Sequence, residues 1–164
     1  MELIDLVKKD VQRSRCGFFK AYFNSNVRAV ISYRINSYIY RSLSTKLAYI
    51  LHNIDRKKYN VDIYPASKIG KGFILAHLGA VVIGDGAVLG DNCTVQSGVT
   101  IGQKNSFSGF PIIGNNVYIG SGAKVLGDIV IGDNTIIGAN SVVTTSFDSN
   151  SVIGGVPAKY INRE

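Results

Sequence analysis

The chain contains only two histidines, and His77 stands where an otherwise regular residue pattern slips. An imidazole titrates near neutrality, so it can take a proton from a hydroxyl at physiological pH. Asp62, fifteen residues earlier, could sit on the other ring nitrogen, fix the tautomer and stabilise the imidazolium. His52, between Leu51 and Asn53, reads as surface packing on a helix. Two histidines cannot build a three-histidine zinc site, so no metal is expected. Cys16 and Cys93 form no motif with each other and suggest a reduced, cytosolic chain, with Cys93 in the core.

From Ile63 onward the spacing that must position these groups is six residues. Aliphatics recur at Ile63, Ile69 and Leu75, then at Ile83, Leu89, Val95 and Ile101, and again from Ile113 through Val143. Four places after most of them comes a small or β-branched residue, such as Ser67, Ala87, Cys93, Ala123 or Ser141. Neither a helix nor an ordinary strand has that period. Six residues make one short strand and a corner, and three such faces close a triangular coil of about 18 residues. Stacked coils lie about 4.8 Å apart and pair backbone to backbone. The expected fold is a mainly β, left-handed parallel β-helix carrying an N-terminal α-helical cap, an exception to the right-handed crossover rule. On an 18-residue coil the separation of Asp62 and His77 is five-sixths of a turn, which permits a hydrogen bond between them. Two interruptions stand out. The phase slips by two residues between Leu75 and Ile83, beside His77, and residues 103–112 lack the inward pattern and read as a loop leaving the coil.

Residues 1–61 read as a separate, basic α-helical segment, and residues 62–164 as the β-helix domain with its C-terminal tail. Val27, Val30, Ile31, Ile35, Tyr38 and Ile39 form one stripe at helical spacing; Leu47, Ile50, Leu51 and Ile54 form another, with Ser44 or Thr45 as N-cap. The first 61 residues hold 12 Lys/Arg against 4 Asp/Glu, a net +8, whereas the rest nets −1. No apolar run of 18 residues and no signal peptide are visible, and no nucleic-acid module is recognisable. A helical cap over the open first coil needs an apolar face but no excess of cations. The charge therefore suggests a cytoplasmic protein that rests peripherally on an anionic membrane surface, where each Lys or Arg contributes about 1 kcal/mol. Phosphatidylglycerol vesicles should then sediment the protein at low salt and release it at high salt. No binding at low salt, or binding that salt leaves unchanged, would leave this segment as a cap alone.

Residues 60–161 resemble the serine-acetyltransferase-like branch of the hexapeptide acyltransferases. The resemblance rests on VDIYPASKIGKGFILAH (61–77), VTIGQ (99–103), IGSGAKVLG (119–127), IGANSVV (137–143) and GGVPAKYI (154–161). It implies Asp62 and His77 as the catalytic dyad, acetyl-CoA as acyl donor, contacts to the donor from the backbone of Gln103 and the Thr144 region, and a homotrimer with the pocket between subunits. Two departures bear on the acceptor. The serine enzymes resembled carry Asp where Ala76 stands, and Arg-His-Pro where this chain has Gly109-Phe110-Pro111. An amino-acid acceptor needs partners for its ammonium and its carboxylate. Ala76 and Phe110 therefore read as acceptor-site residues suited to an uncharged hydroxyl compound; with its small size and short, basic N-terminal segment the chain looks more like small capsule- or exopolysaccharide-modifying O-acetyltransferases of the colanic-acid type.

For the donor, Ser121 and Ala139 lie 18 residues apart, one whole coil, and leave room for a pantetheine arm. Lys159 and Arg163 could meet the 3′-phosphate of coenzyme A. The function expected on this reading is O-acetyl transfer from acetyl-CoA to a sugar or a lipid-linked oligosaccharide, by direct attack with His77 as general base. Serine O-acetylation for cysteine biosynthesis is the alternative, and a non-catalytic trimeric scaffold is a third reading.

Overall fold

The structure, a computed structural model, describes residues 3–15 and 18–161. Four helices come first: α1 (Leu3–Arg13), α2 (Phe18–Phe23), α3 (Ser25–Ser42) and α4 (Thr45–Tyr59). Asn24 caps α3, its side chain accepting from the amides of Asn26 and Val27, and Ser44 caps α4 through the Leu47 amide. Asn60, in the left-handed conformation, ends α4 and turns the chain into the first strand.

The remainder is a left-handed parallel β-helix with three faces. The first face stacks β1 (Val61–Ile63), β4 (Val81–Ile83), β7 (Thr100–Gly102), β10 (Lys124–Leu126) and β13 (Val142–Val143). The second stacks β2 (Lys68–Ile69), β5 (Val88–Leu89), β8 (Ile112–Ile113) and β11 (Val130–Ile131). The third stacks β3 (Ile74–Leu75), β6 (Thr94–Val95), β9 (Tyr118–Ile119), β12 (Ile136–Ile137), β14 (Val152–Gly155) and β15 (Ala158–Tyr160). All pairings are parallel except β14 with β15. Ile83, Ile101, Ile119, Ile131 and Ile137 are wholly buried inside the prism, and each contributes roughly 1.5–3 kcal/mol of apolar burial. Cys93 occupies a small inward position, and burial pushes its thiol up to about 11, as expected of an inert core residue. At the corners Asn92, Asn116, Asn134, Asn140 and Asn150 take positive φ, which asparagine tolerates. Down one edge Asn116 Nδ2 donates to Asn134 Oδ1 and Asn134 Nδ2 to Asn150 Oδ1, each at 3.0 Å.

The helices bury only part of the stripes that the sequence suggests: Val27 and Val30 of α3 are buried. Leu47, Ile50 and Ile54 of α4 are half exposed, as are Ile35 and Tyr38 of α3. The buried positions of α3 include Tyr33, Arg34, Asn36 and Ser37, and those of α4 include Ala48, His52 and Tyr59. The reason lies in the first coil, which has no coil above it, so its backbone groups lack ladder partners. Side chains supply them. Arg34 donates to the carbonyls of Ile69 and Gly70, at 2.5 and 2.6 Å. Tyr33 and Arg41 donate to Ser67 O, Arg13 to Gly72 O, and Asn26 to Ala76 O. Asp10 accepts from the Phe73 amide at 2.8 Å and pairs with Arg34, both buried. Capping this solenoid therefore does consume cations, contrary to the sequence argument that only an apolar face is needed. Among the described residues no helix is long and apolar enough to cross a membrane.

Candidate active site

His77 lies on the corner between β3 and β4. Val61 pairs with Val81, so the first coil takes twenty residues, and the phase slip is the two extra ones. Gly79 and Ala80 absorb it with φ of 108° and 52°, and the Ala80 amide returns to Asn60 O at 2.9 Å. His77 is exposed on this raised corner and makes no hydrogen bond among the described residues. An imidazole so placed is free to meet a substrate.

The strand register shows what lies beneath it. Leu75 pairs with Val95, Val95 with Ile119, and Ile119 with Ile137. Two residues further along, His77, Ser97, Ser121 and Ala139 occupy successive levels of one edge of the prism. Backbone bonds at that edge hold the stack: Gly98 N to Gly79 O, Gly122 N to Ser97 O and Asn140 N to Ser121 O. Ser121 and Ala139 are exposed. The edge is a shallow, small-residue track that leads up to an imidazole.

Gln103, Phe110 and Thr144 lie on the other side of the first face, where it turns into the second. There an open groove of about 690 Å³ is lined by Tyr64, Val82, Gly84, Asp85, Gln103 and Phe110. The loop between β7 and β8 is braced from within: Gln103 Nε2 donates to Ser108 O and the Lys104 amide to Ser108 Oγ. The Phe110 ring lies flat on the β4–β5 corner. A Cβ at Gly84 would come within 2.6 Å of its Cε1, and one at Gly86 would also collide with the ring. Thr144 falls two levels below Gly102 by register. Ala76 precedes His77, its amide bonded to Val95 O and its carbonyl to Asn26. Lys159 is exposed on β15, at the far end of the solenoid, and Arg163 lies outside the described residues. One chain thus gathers His77, Ser121 and Ala139 on one edge, and Gln103, Phe110 and Thr144 on another.

Asp62 sits mid-strand on the outer side of β1, and its partner within the chain is His52. His52 Nε2 is 3.0 Å from Asp62 Oδ1, and Arg56 approaches Oδ2 at 3.6 Å. The approach is close, but its geometry is not aligned for a hydrogen bond, and Oδ1 has no aligned donor. His52 is not the surface residue its sequence position suggests: it is only 5% exposed. Its ring lies 5.0 Å from that of Tyr64 and 6.2 Å from that of Tyr49. Tyr49 donates to Asp85 Oδ1 at 3.0 Å, and burial together with that carboxylate pushes its phenol up to about 12. Tyr49, His52 and Arg56 therefore form a polar stripe along α4 at helical spacing. That spacing was readable in the sequence, but the neighbouring apolar stripe has the stronger signal and faces outward. Among the described residues, no group of three or more His, Cys, Asp or Glu gathers at a metal-like site.

A β-helix whose small-residue edge ends on an exposed histidine defines the hexapeptide-repeat transferases, and two family models match accordingly. Residues 110–145 match the bacterial transferase hexapeptide of six repeats, and residues 78–104 the hexapeptide repeat of succinyl-transferase. Serine acetyltransferase of Synechococcus elongatus is 37% identical over 138 residues, covering 83% of this chain and 57% of that protein. Serine acetyltransferase of Helicobacter pylori is 36% identical over 84% of this chain and 82% of its own length. The structure of serine acetyltransferase from Brucella abortus in complex with coenzyme A superposes with a TM-score of 0.89 at 32% identity, covering 95% of this chain and 66% of that one. The chain belongs to the serine acetyltransferase family. It spans 57, 52 and 50% of the length of three serine acetyltransferases that it matches.

This overturns the expectation of a sugar or polysaccharide acceptor. That reading rested on two local departures, Ala76 and Gly109-Phe110-Pro111, and on a short, basic N-terminal segment, and these weigh less than 37% identity to a serine enzyme over 138 residues.

Proposed function

We propose that the chain is an acetyl-CoA-dependent serine O-acetyltransferase that works as a homotrimer. The observation that carries this is the edge on which His77 stands above Ser97, Ser121 and Ala139. A pantetheine arm laid along that edge would bring its thioester to the imidazole. His77 takes the proton of the serine hydroxyl as its oxygen attacks the thioester carbon. The tetrahedral adduct then collapses, the carbon–sulfur bond breaks, and the departing thiolate recovers the proton from the imidazolium. Asp62, on the first strand beside the same edge, is the carboxylate that would stabilise that imidazolium.

The trimer reading is supported by the separation within one chain of the His77 edge from the Gln103–Phe110 groove. Packing the first face of one subunit against a neighbour would set one edge against the other. Serine's charged ends would be held by groups other than side chains at positions 76 and 110, which here are apolar.

The test is thiol release from acetyl-CoA by the purified protein. L-serine as sole acceptor is expected to drive turnover with formation of O-acetylserine. Calorimetric binding of acetyl-CoA without serine-dependent release would sink the acceptor assignment, and no binding at all would sink the enzyme.

A further inference from the structure

We propose that His52, in the helical segment, is a positioning residue for acetyl transfer, acting through Asp62; this rests on the reading of Asp62 and His77 as working together. At 5% exposure His52 cannot touch a substrate. Its Nε2 faces Asp62 Oδ1 at 3.0 Å, and its ring is held between Tyr49 and Tyr64. Arg56, the cation near this carboxylate, is half exposed and 3.6 Å away, so solvent screens most of its effect. The buried imidazole is thus the group that fixes how the Asp62 carboxylate stands on the outer side of β1.

The helices grip the other partner too, since Asn26 of α3 donates to the carbonyl of Ala76, the residue before His77. Tyr49 anchors the same stripe of α4 to Asp85 in the floor of the groove. The helical segment therefore braces Asp62, the His77 corner and the groove at once.

The experiment is a double-mutant cycle in the whole chain, with kcat, KM and melting temperature recorded for each variant. His52→Phe keeps the ring packing and removes both nitrogens, and His52→Leu serves as a second nitrogen-free variant if the larger ring does not fold. Either is expected to lower kcat about tenfold with little change in KM for acetyl-CoA. His52→Gln, which retains a donor, is expected to recover most of the loss. Combining His52→Phe with Asp62→Asn is expected to be no slower than Asp62→Asn alone, because the first acts only through the second. Wild-type kcat in both nitrogen-free variants, or losses that multiply in the double variant, would overturn the positioning role and leave Asp62 in place. Wild-type turnover in Asp62→Asn would instead remove the underlying dyad, and the positioning role with it.

Discussion

Replacing His77 by alanine is expected to lower kcat by about 10²–10⁴-fold, the usual contribution of a positioned general base. The side chain is exposed on a corner lifted by two extra residues, and its neighbours on that edge are small, so its removal disturbs no packing. The melting temperature and coenzyme A binding should therefore stay close to wild type, and the loss should fall on the chemical step. Asp62→Ala is expected to cost less, because it removes a stabilising carboxylate and leaves the base in place. The deciding measurement is serine-dependent thiol release by purified His77→Ala protein. A rate near that of the wild type would take His77 out of the mechanism, whatever the family relationship.

The largest effect on stability is expected at Arg34. It is 3% exposed, pairs with Asp10 at 2.8 Å, and supplies two carbonyls of the open first coil. Arg34→Met would bury the Asp10 charge without a counter-ion, and breaking a buried pair from one side costs about 3–5 kcal/mol. Against a total stability of about 5–15 kcal/mol, that is a large share. Burial holds the Asp10 carboxyl above the ordinary carboxylate value, partly offset by Arg34 and the Phe73 amide. The folded chain therefore takes up this proton at higher pH than the unfolded one, so the contribution of Asp10 to stability falls as pH rises through the folded value. Losing Arg34 removes part of that offset, so the deficit of Arg34→Met should be largest near neutral pH and shrink on acidification. Urea midpoints of wild type and Arg34→Met at neutral and acid pH decide it. A difference below about 1 kcal/mol at neutral pH would show that the pair contributes little.

The period of six made the β-helix legible because inward aliphatics, small neighbours and corner residues each recur where the coil demands them. Ile83, Ile101, Ile119 and Ile137 are all wholly buried. The phase slip pointed to the His77 corner for the same reason, since two surplus residues in a rigid coil must bulge. The helices were harder to read, because a hydrophobic stripe predicts a buried face only where the partner surface is apolar. Here the partner is a coil rim of carbonyls, so Tyr33 and Arg34 face inward while Leu47 and Ile54 face out. His52 was missed on the same account. The acceptor was misread because two missing side chains reveal what a site lacks and not what replaces it.

Both ends of the solenoid carry groups that no further coil could copy. A parallel β-helix is in principle an endless polymer, since each coil presents to the next the same row of amides and carbonyls, and a second molecule could continue the stack as readily as the first. At the upper rim Arg13, Arg34 and Arg41 occupy the carbonyls that an incoming chain would need. At the lower end β15 runs back antiparallel along β14, so that edge offers the wrong strand direction. The arginines of the helical segment thus act as a chain terminator, and neutralising them would remove a barrier to end-to-end fibre growth.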